Sequence, residues 1–510
     1  MASLIRPILE RFQKSGADYE LLPTNATTGS ARSQSDPSAD APPPWLQLYC
    51  SRPAKRVGAL VIAVVIGLII FSKWQHYEWE MIEDELLPNY EDVWEFERRL
   101  PQHNLDLPWP EGKDGRYVLF EVPYHHIGFN NQLQDILMSA EIAYLSNRAY
   151  AFQPYLWDIQ TKESAVIDVI DGVTLRSAII PLNAFLSGPA AGGSMPTPTD
   201  PTETRRPRAV SWKWFDQVCP HDRRKVVNVD AVRRARGISE DDKPSGRAIL
   251  EAWGKELGEM SEPCVVVTGD HVWTFDAFGE RLLPAWSILQ HAPILTNFQW
   301  SPLVKAIVER NMLRIGGKAA PKYEANATPK TISGVVAVHL RRGDFLEHCN
   351  KLAGWHTMYN SWNTFEGFPD RFPSHAEVGQ MDDEARIKLY MEHCLPTVDQ
   401  MVVRLRAVRA EWAEKHPEAT TLKRVYVMTN AEKSYRNELR EKLKEEGWEG
   451  VTMSMDLEVK KAEIEVEMTA DMMIGQLAEV FIGNGFSSLT SNINLLRMLR
   501  GVPQDSVRFL

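Results

Sequence analysis

The sequence predicts an α/β protein: two Rossmann-like lobes, preceded by a disordered tail and one transmembrane helix. Three observations predict it. From about Gly115 onward, short β-rich apolar runs alternate with stretches of helical periodicity. Before that, the uncharged run VGALVIAVVIGLIIFS occupies positions 57–72. The first 56 residues are rich in Ser, Pro, Ala and Thr, without sustained periodicity, and cannot bury enough apolar surface to offset their ordering entropy. At 510 residues the chain has room for roughly three domains. Its 57 Lys and Arg against 68 Asp and Glu leave a net charge of −11. No basic field exists to displace counterions from a polyanion, so nucleic-acid binding is excluded as the main activity.

As a helix, the run at 57–72 spans about 24 Å. Arg56, Lys73 and Trp74 flank it and reach toward the interfaces. Arg52, Lys55 and Arg56 precede it, whereas Glu78, Glu80, Glu83, Asp84 and Glu85 follow. The positive-inside bias makes it a single-pass type II signal anchor, with everything beyond it in the lumen of the endoplasmic reticulum or Golgi. The organisation predicted is a cytosolic tail at 1–56, an anchor at 57–73, a stem at 74–113, a first lobe at 114–300 and a second at 301–510. Cys50 falls on the cytosolic side, free or palmitoylated. Cys219, Cys264, Cys349 and Cys394 fall on the oxidising side, where they permit two disulfides in any of three pairings. Asn326 heads a glycosylation sequon in a polar loop.

Within the first lobe, 117–122 is a buried parallel strand, HHIGFNNQ a loop, and Leu133, Ile136, Leu137, Ala140 and Tyr144 the apolar face of a helix. Strands follow at 149–152 and 264–268, with an exposed Gly/Pro/Thr-rich insertion at 186–210. In the second lobe, strands are predicted at 335–340, 425–428, 451–455 and 480–482. Helices are predicted around 383–413, at 432–446, at 470–478 and after 490. Ligands of open α/β sheets bind beyond the carboxyl ends of strands, so the loops there carry the chemistry.

Two such loops stand out. The strand at 335–340 runs into Arg341 and Arg342, guanidiniums suited to phosphate. The alternative is a structural ion pair, Arg342 with Asp344 or Arg341 with Glu347. Gly483–Thr490 combines small residues and hydroxyls at a strand-to-helix turn, which presents backbone N–H groups and a helix dipole to an anion, or else caps the helix. Together they are equipment for holding a diphosphate leaving group. The sequence has no strict Asp-x-Asp pair, no HExxH, no GxSxG and no Walker A loop, so a metal-free transferase fits better than a protease, an esterase or a P-loop NTPase.

HLRRGDF at 339–345, GFNNQ at 128–132, and Asp471 followed by GNGFSSLTSN at 483–492 resemble the motif blocks of the GDP-fucose protein O-fucosyltransferases, which are similar in motifs to the α-1,6-fucosyltransferases. The resemblance implies a GT-B arrangement of the two lobes, inversion at the anomeric carbon, GDP-fucose as donor and no cofactor or metal. It implies that Arg341 holds the β-phosphate and that His339 lines the nucleotide pocket. Asp471 would accept from guanine, and Ser487, Ser488 and Thr490 would contact phosphate. Gly128, Phe129, Asn130 and Asn131 would form the loop facing fucose or the acceptor, with Asn131 beside the reacting centre. One branch of the family has a Glu directly before its Gly-Phe-Asn loop, where this chain has Ile127. The base is then absent, or supplied by Asp344, Glu347 or His126. The expected partners are GDP-fucose, a protein or glycan acceptor and the membrane. The alternatives are another sugar nucleotide on the same fold, and a tethered glycan-binding protein without turnover.

Overall fold

The computed structural model describes residues 64–69, 87–121, 127–157, 165–167, 175–196, 205–319, 330–343 and 345–510. The chain divides into two units, Met1–Glu78 and Trp79–Leu510. Of the first, residues 64–69 form a helical segment in which Val64, Val65, Ile66, Leu68 and Ile69 are exposed. The rest of the expected anchor, and the tail with Cys50, lie outside the described residues. Among the described residues no helix is long and apolar enough to cross a membrane.

The second unit opens with helix α1 (Glu91–Arg98). Strand β1 (Tyr117–Phe120) leads into helix α2 (Phe129–Leu145), then β2 (Ala149–Phe152), β3 (Val210–Ser211), β4 (Arg224–Asn228), helix α3 (Gly246–Glu259) and β5 (Cys264–Thr268). The five strands form one parallel sheet in the order β3-β2-β1-β5-β4. Chain order runs outward from β1 through β2 to β3 and returns on the other side, so the topological switch lies between β1 and β5.

Of the expected stem at 74–113, residues 90–113 are built into this lobe. Tyr90 and Leu100 are buried in its core. The buried Glu97 carboxylate accepts the Asn183 backbone N–H at 3.1 Å, and Gln102 donates to the Gly192 and Ala209 carbonyls at 2.9 and 2.6 Å. The expected insertion also differs. Leu186, Ala190 and Ala191 are buried, so its first part is core; 197–204 lie outside the described residues.

The second lobe starts with helix α4 (Pro302–Gly316) and the nine-residue strand β6 (Ile332–Leu340), in which only Ser333 is exposed. Helices α5 (Phe345–Gly354), α6 (Asp383–Cys394) and α7 (Val398–Lys415) precede β7 (Arg424–Thr429). The helical stretch expected at 383–413 is broken because Pro396 has no N–H to continue α6. Thr397 then starts α7 with a capping box to Gln400. Helix α8 (Lys433–Glu445), β8 (Gly450–Met453), α9 (Glu467–Leu477), β9 (Ala478–Gly483), α10 (Ser488–Leu499) and β10 (Val507–Phe509) complete it. This sheet is also parallel, in the order β8-β7-β6-β9-β10, with its switch between β6 and β9.

One apolar core runs through both lobes, from Leu133, Ile136 and Leu250 to Ile332, Ala337, Met428 and Ile493. Two buried arginines bind main-chain carbonyls at and just beyond the carboxyl ends of α3 and α9. Arg148 donates to the carbonyls of Leu257, Met260 and Glu262, and Arg497 to those of Gly475 and Ala478.

Of the three cysteine pairings open to the sequence, the structure takes Cys219–Cys264 and Cys349–Cys394. The second ties α5 to α6 directly behind the β6 loop. Replacing Cys349 and Cys394 together by Ser is expected to lower the unfolding free energy by about 2–5 kcal/mol, read as a fall in the urea midpoint. An unchanged midpoint would show that the bridge does not constrain this lobe.

Candidate functional site

The parallel register Val338↔Ile482 sets the carboxyl ends of β6 and β9 side by side at the switch point of the second sheet. There an open α/β sheet binds its ligand. Arg341 leaves β6 one residue past its end, half-buried, with its guanidinium 4.9 Å from the centre of the Phe345 ring. Arg342 turns the other way. Its backbone N–H donates to the Asn430 side chain at 2.8 Å, its guanidinium donates to the Pro396 carbonyl at 2.6 Å, and it lies 4.1 Å over the Tyr435 ring. Of the two arginines singled out by the sequence, Arg342 is structural and Arg341 follows the end of β6, the strand that pairs with β9.

That loop is tight. A Cβ at Gly485 would fall 2.4 Å from the Tyr359 ring, and one at Gly483 would fall 2.1 Å from Thr490 Cγ2. The Phe486 N–H donates to Asn484 Oδ1 at 3.0 Å, turning the chain so that Ser487 caps α10 by accepting the Leu489 N–H at 3.2 Å. Ser487 is nearly buried and Ser488 half-exposed, both in the first turn of a helix whose leading N–H groups have no intrahelical acceptor. Thr490, expected at phosphate, is wholly buried and lies 2.9 Å from His339 Nδ1. It therefore ties α10 to the end of β6 instead of facing a ligand. His339 is buried with it, and burial together with the Arg341 charge pushes its ring down to about 3.

The GFNNQ block reaches the same place from the first lobe. Asn492 of α10 donates through Nδ2 to the Asn130 carbonyl at 2.9 Å and to Asn130 Oδ1 at 3.0 Å. Gln134 donates to Ser491 Oγ at 3.1 Å and to Asn360 Oδ1 at 3.0 Å. All three motif blocks thus converge on the N-terminal turns of α10. Phe129, expected in the ligand loop, is instead buried: it stacks on Phe185 at 4.2 Å and meets Tyr155 edge-on at 5.7 Å. Gly128 is exposed at the head of α2, and Asn131 is half-buried in its first turn.

Asp471 lies on α9, half-buried, and accepts from the Tyr426 hydroxyl and from Ser454 Oγ at 2.8 Å. Burial pushes its carboxyl up to about 7, against the pull of those two donors. Ionised, it keeps acceptor capacity for further donors. Among the proposed bases, Glu347 is a surface residue paired with Lys351 at 2.7 Å, and that ammonium holds its carboxyl below the usual range. It is an ion-paired side chain in solvent and a poor base. Asp344, His126 and the sequon at Asn326 lie outside the described residues. The sequence reading missed Asn360, Ser361 and Asn363, which brace the β9 loop: Asn363 donates to the Gly485 and Ser487 carbonyls at 2.8 and 3.2 Å. The only available signal was a polar Asn-Ser-Trp-Asn run, indistinguishable from an ordinary turn.

Residues 284–500 match the family model described as GDP-fucose protein O-fucosyltransferase, and this match supports a glycosyltransferase. It covers less than half of the chain and holds the HLRRGDF and GNGFSSLTSN blocks, so the motif resemblance stands over the second lobe. No curated protein matches the chain by sequence. Among solved structures, the apo form of POFUT1 is similar at 16% identity and a TM-score of 0.43, over 77% of this chain and 97% of that one. POFUT1 in complex with GDP-fucose gives 15% and 0.44, over 77% and 97%. A mutant of Arabidopsis thaliana FUT1 in complex with GDP gives 12% and 0.31, over 83% and 76%. At these TM-scores the functional reading rests on the family match and on the residues themselves.

Two outcomes are expected of this geometry. The His339 imidazole resonance, assigned with His339→Gln, shows no titration between about pH 5 and 8. Because the folded pKa is depressed, the unfolded chain takes the proton first, and stability from His339 is lost as pH falls below the ordinary histidine range. Gly485→Ala displaces the loop and lowers the thermal midpoint; an unchanged midpoint would mean that the Tyr359 contact yields freely.

Proposed function

We propose that the chain is an inverting glycosyltransferase that moves fucose from GDP-fucose to a hydroxyl of a protein or glycan acceptor, without a metal ion. The observation that carries this reading is the convergence of three separate motif blocks on one helix terminus, with Arg341 on the adjacent strand end and the family match running through both. GDP would lie across the switch point of the second sheet. Arg341 and the first amides of α10 would meet the β-phosphate, while Asp471 would accept from the guanine N–H groups. The two sheets, each with its loops at the carboxyl ends of its strands, fit a GT-B arrangement.

In fucosyl transfer the sugar gains oxocarbenium character while negative charge builds on the departing β-phosphate. A fixed guanidinium and fixed amides stabilise that charge more in the transition state than in the ground state, and this difference accelerates the reaction. Arg341 suits the role because a planar guanidinium presents paired N–H donors to phosphate, and this one packs on the ring of Phe345. The His339 ring beside it, kept neutral by burial, adds no competing charge. For location, we propose a single-pass type II protein of the endoplasmic reticulum or Golgi. The charge asymmetry around residues 57–73 and the two disulfides of the described chain support that placement.

Arg341→Ala is expected to lower kcat for GDP release from GDP-fucose by about 100- to 1,000-fold, assayed in EDTA with the wild type as reference. Full activity in the mutant would remove Arg341 from the mechanism. Calorimetry should give binding of GDP and none of UDP. Since the Asp471 carboxyl is pushed up to about 7, it is ionised above that pH, and GDP affinity should fall as pH drops through it. Asp471→Asn should abolish that dependence; equal binding of GDP and UDP would overturn the guanine assignment.

A further inference from the structure

A cavity of about 530 Å³ opens where residues 280–286 of the first lobe meet residues 365–367 and Gln504 of the second. Its size falls within the roughly 300–1,000 Å³ typical of ligand sites. Glu280, Pro284, Glu366 and Gln504 in its lining are exposed, whereas Trp286 and Phe365 are half-buried. The two rings lie 5.2 Å apart with their planes at 81°, so they form an aromatic corner. Both pack on the buried ring of Trp362, at 6.1 and 5.7 Å. Trp362 is fixed in turn, because its backbone N–H donates to Ser491 Oγ at 3.2 Å. The corner is therefore a rigid feature of the seam between the lobes.

The charge in this cavity has one sign. Neither Glu280 nor Glu366 forms an ion pair with a described residue. The cations nearest to them in sequence are engaged elsewhere: Arg281 pairs with Glu240 at 2.9 Å, and Arg371 donates to the main-chain carbonyl of Glu366. Two carboxylates in a concave site concentrate a negative potential, which attracts a cation and repels a phosphate. The donor nucleotide is therefore a poor occupant. Ring faces add to the attraction for a cation, and Leu283 and Pro284 supply apolar surface for the stem that carries it. A neutral sugar matches the rings but leaves both charges without a partner.

We propose that this cavity binds a basic side chain, lysine or arginine, of the acceptor polypeptide. This rests on the fucosyl-transfer reading above, and it makes the acceptor a protein that carries a positive charge in addition to its target hydroxyl. The stem of the side chain lies along Leu283 and Pro284, its charge sits in the corner of Trp286 and Phe365, and Glu280 and Glu366 accept its N–H groups. Phe365 is two residues beyond Asn363, whose side chain holds the β9 loop. At most about 7 Å of backbone therefore separates the wall of this site from the brace of the donor loop.

The test is calorimetry of the full chain without donor, using two peptides of equal length, one of Lys and Gly and one of Glu and Gly. The Lys peptide should bind and the Glu peptide should not. Glu280→Gln combined with Glu366→Gln alters exposed side chains only, and should weaken the Lys peptide about 5- to 10-fold. Glu414→Gln combined with Glu418→Gln removes the same charge from exposed positions elsewhere and should not. Trp286→Leu keeps an apolar wall but removes the ring, and should weaken binding about 2- to 5-fold. Equal weakening by the two Gln pairs would show only a general attraction to an acidic protein and would overturn the proposal. So would absence of Lys-peptide binding, or binding of an N-acetylglucosamine oligomer that is lost in Trp286→Leu and kept in the Glu280/Glu366 variant. GDP is titrated separately: its failure to bind the wild type would strike the donor assignment and leave the peptide result standing.

Discussion

The N-terminus of α10 has to be satisfied from two directions at once. From its own sheet it receives the Ser487 cap and the Thr490–His339 contact; from the other lobe it meets Asn130 and Gln134 through Asn492 and Ser491. These groups are buried, so each one left without a partner would cost about 1–3 kcal/mol. In such an environment a buried hydrogen-bond network favours one arrangement, although Asn492 Oδ1 itself is left without a partner. The strand ends, the loop between Gly483 and Ser487, and the entry of α2 are all fixed by that network. Apolar residues of both lobes share one core cluster with α10.

Much of this was legible in the residues, because the two sheets are parallel and buried on both faces. Their strands read as unbroken apolar runs, such as VVAVHL and CVVVT, and the observed bounds differ by a few residues at most. The short or exposed strands were not legible. Strand β4, RKVVN, has only Val227 buried, and β10 is three residues at the very end of the chain. The helical stretch around 383–413 was read through Pro396, which divides it.

Within the site, the motifs located the loops correctly but not the direction of each side chain. Phe129 and Thr490 sit in the right segments and face inward, one into an aromatic cluster and the other onto His339. A side chain at a loop edge can brace or bind, and type and spacing are the same for both.

The continuous core under both lobes bears on how this molecule can move. Leu133 and Ile136 on one side share an apolar cluster with Ala337, Met428 and Ile493 on the other. Swinging the halves apart like a clamshell would bring that surface into water, at about 25 cal/mol for each Å² exposed, and would strip the Asn492–Asn130 contact as well. The halves are therefore welded rather than hinged. Any ligand of the α10 terminus therefore reaches it without a wholesale parting of the two sheets.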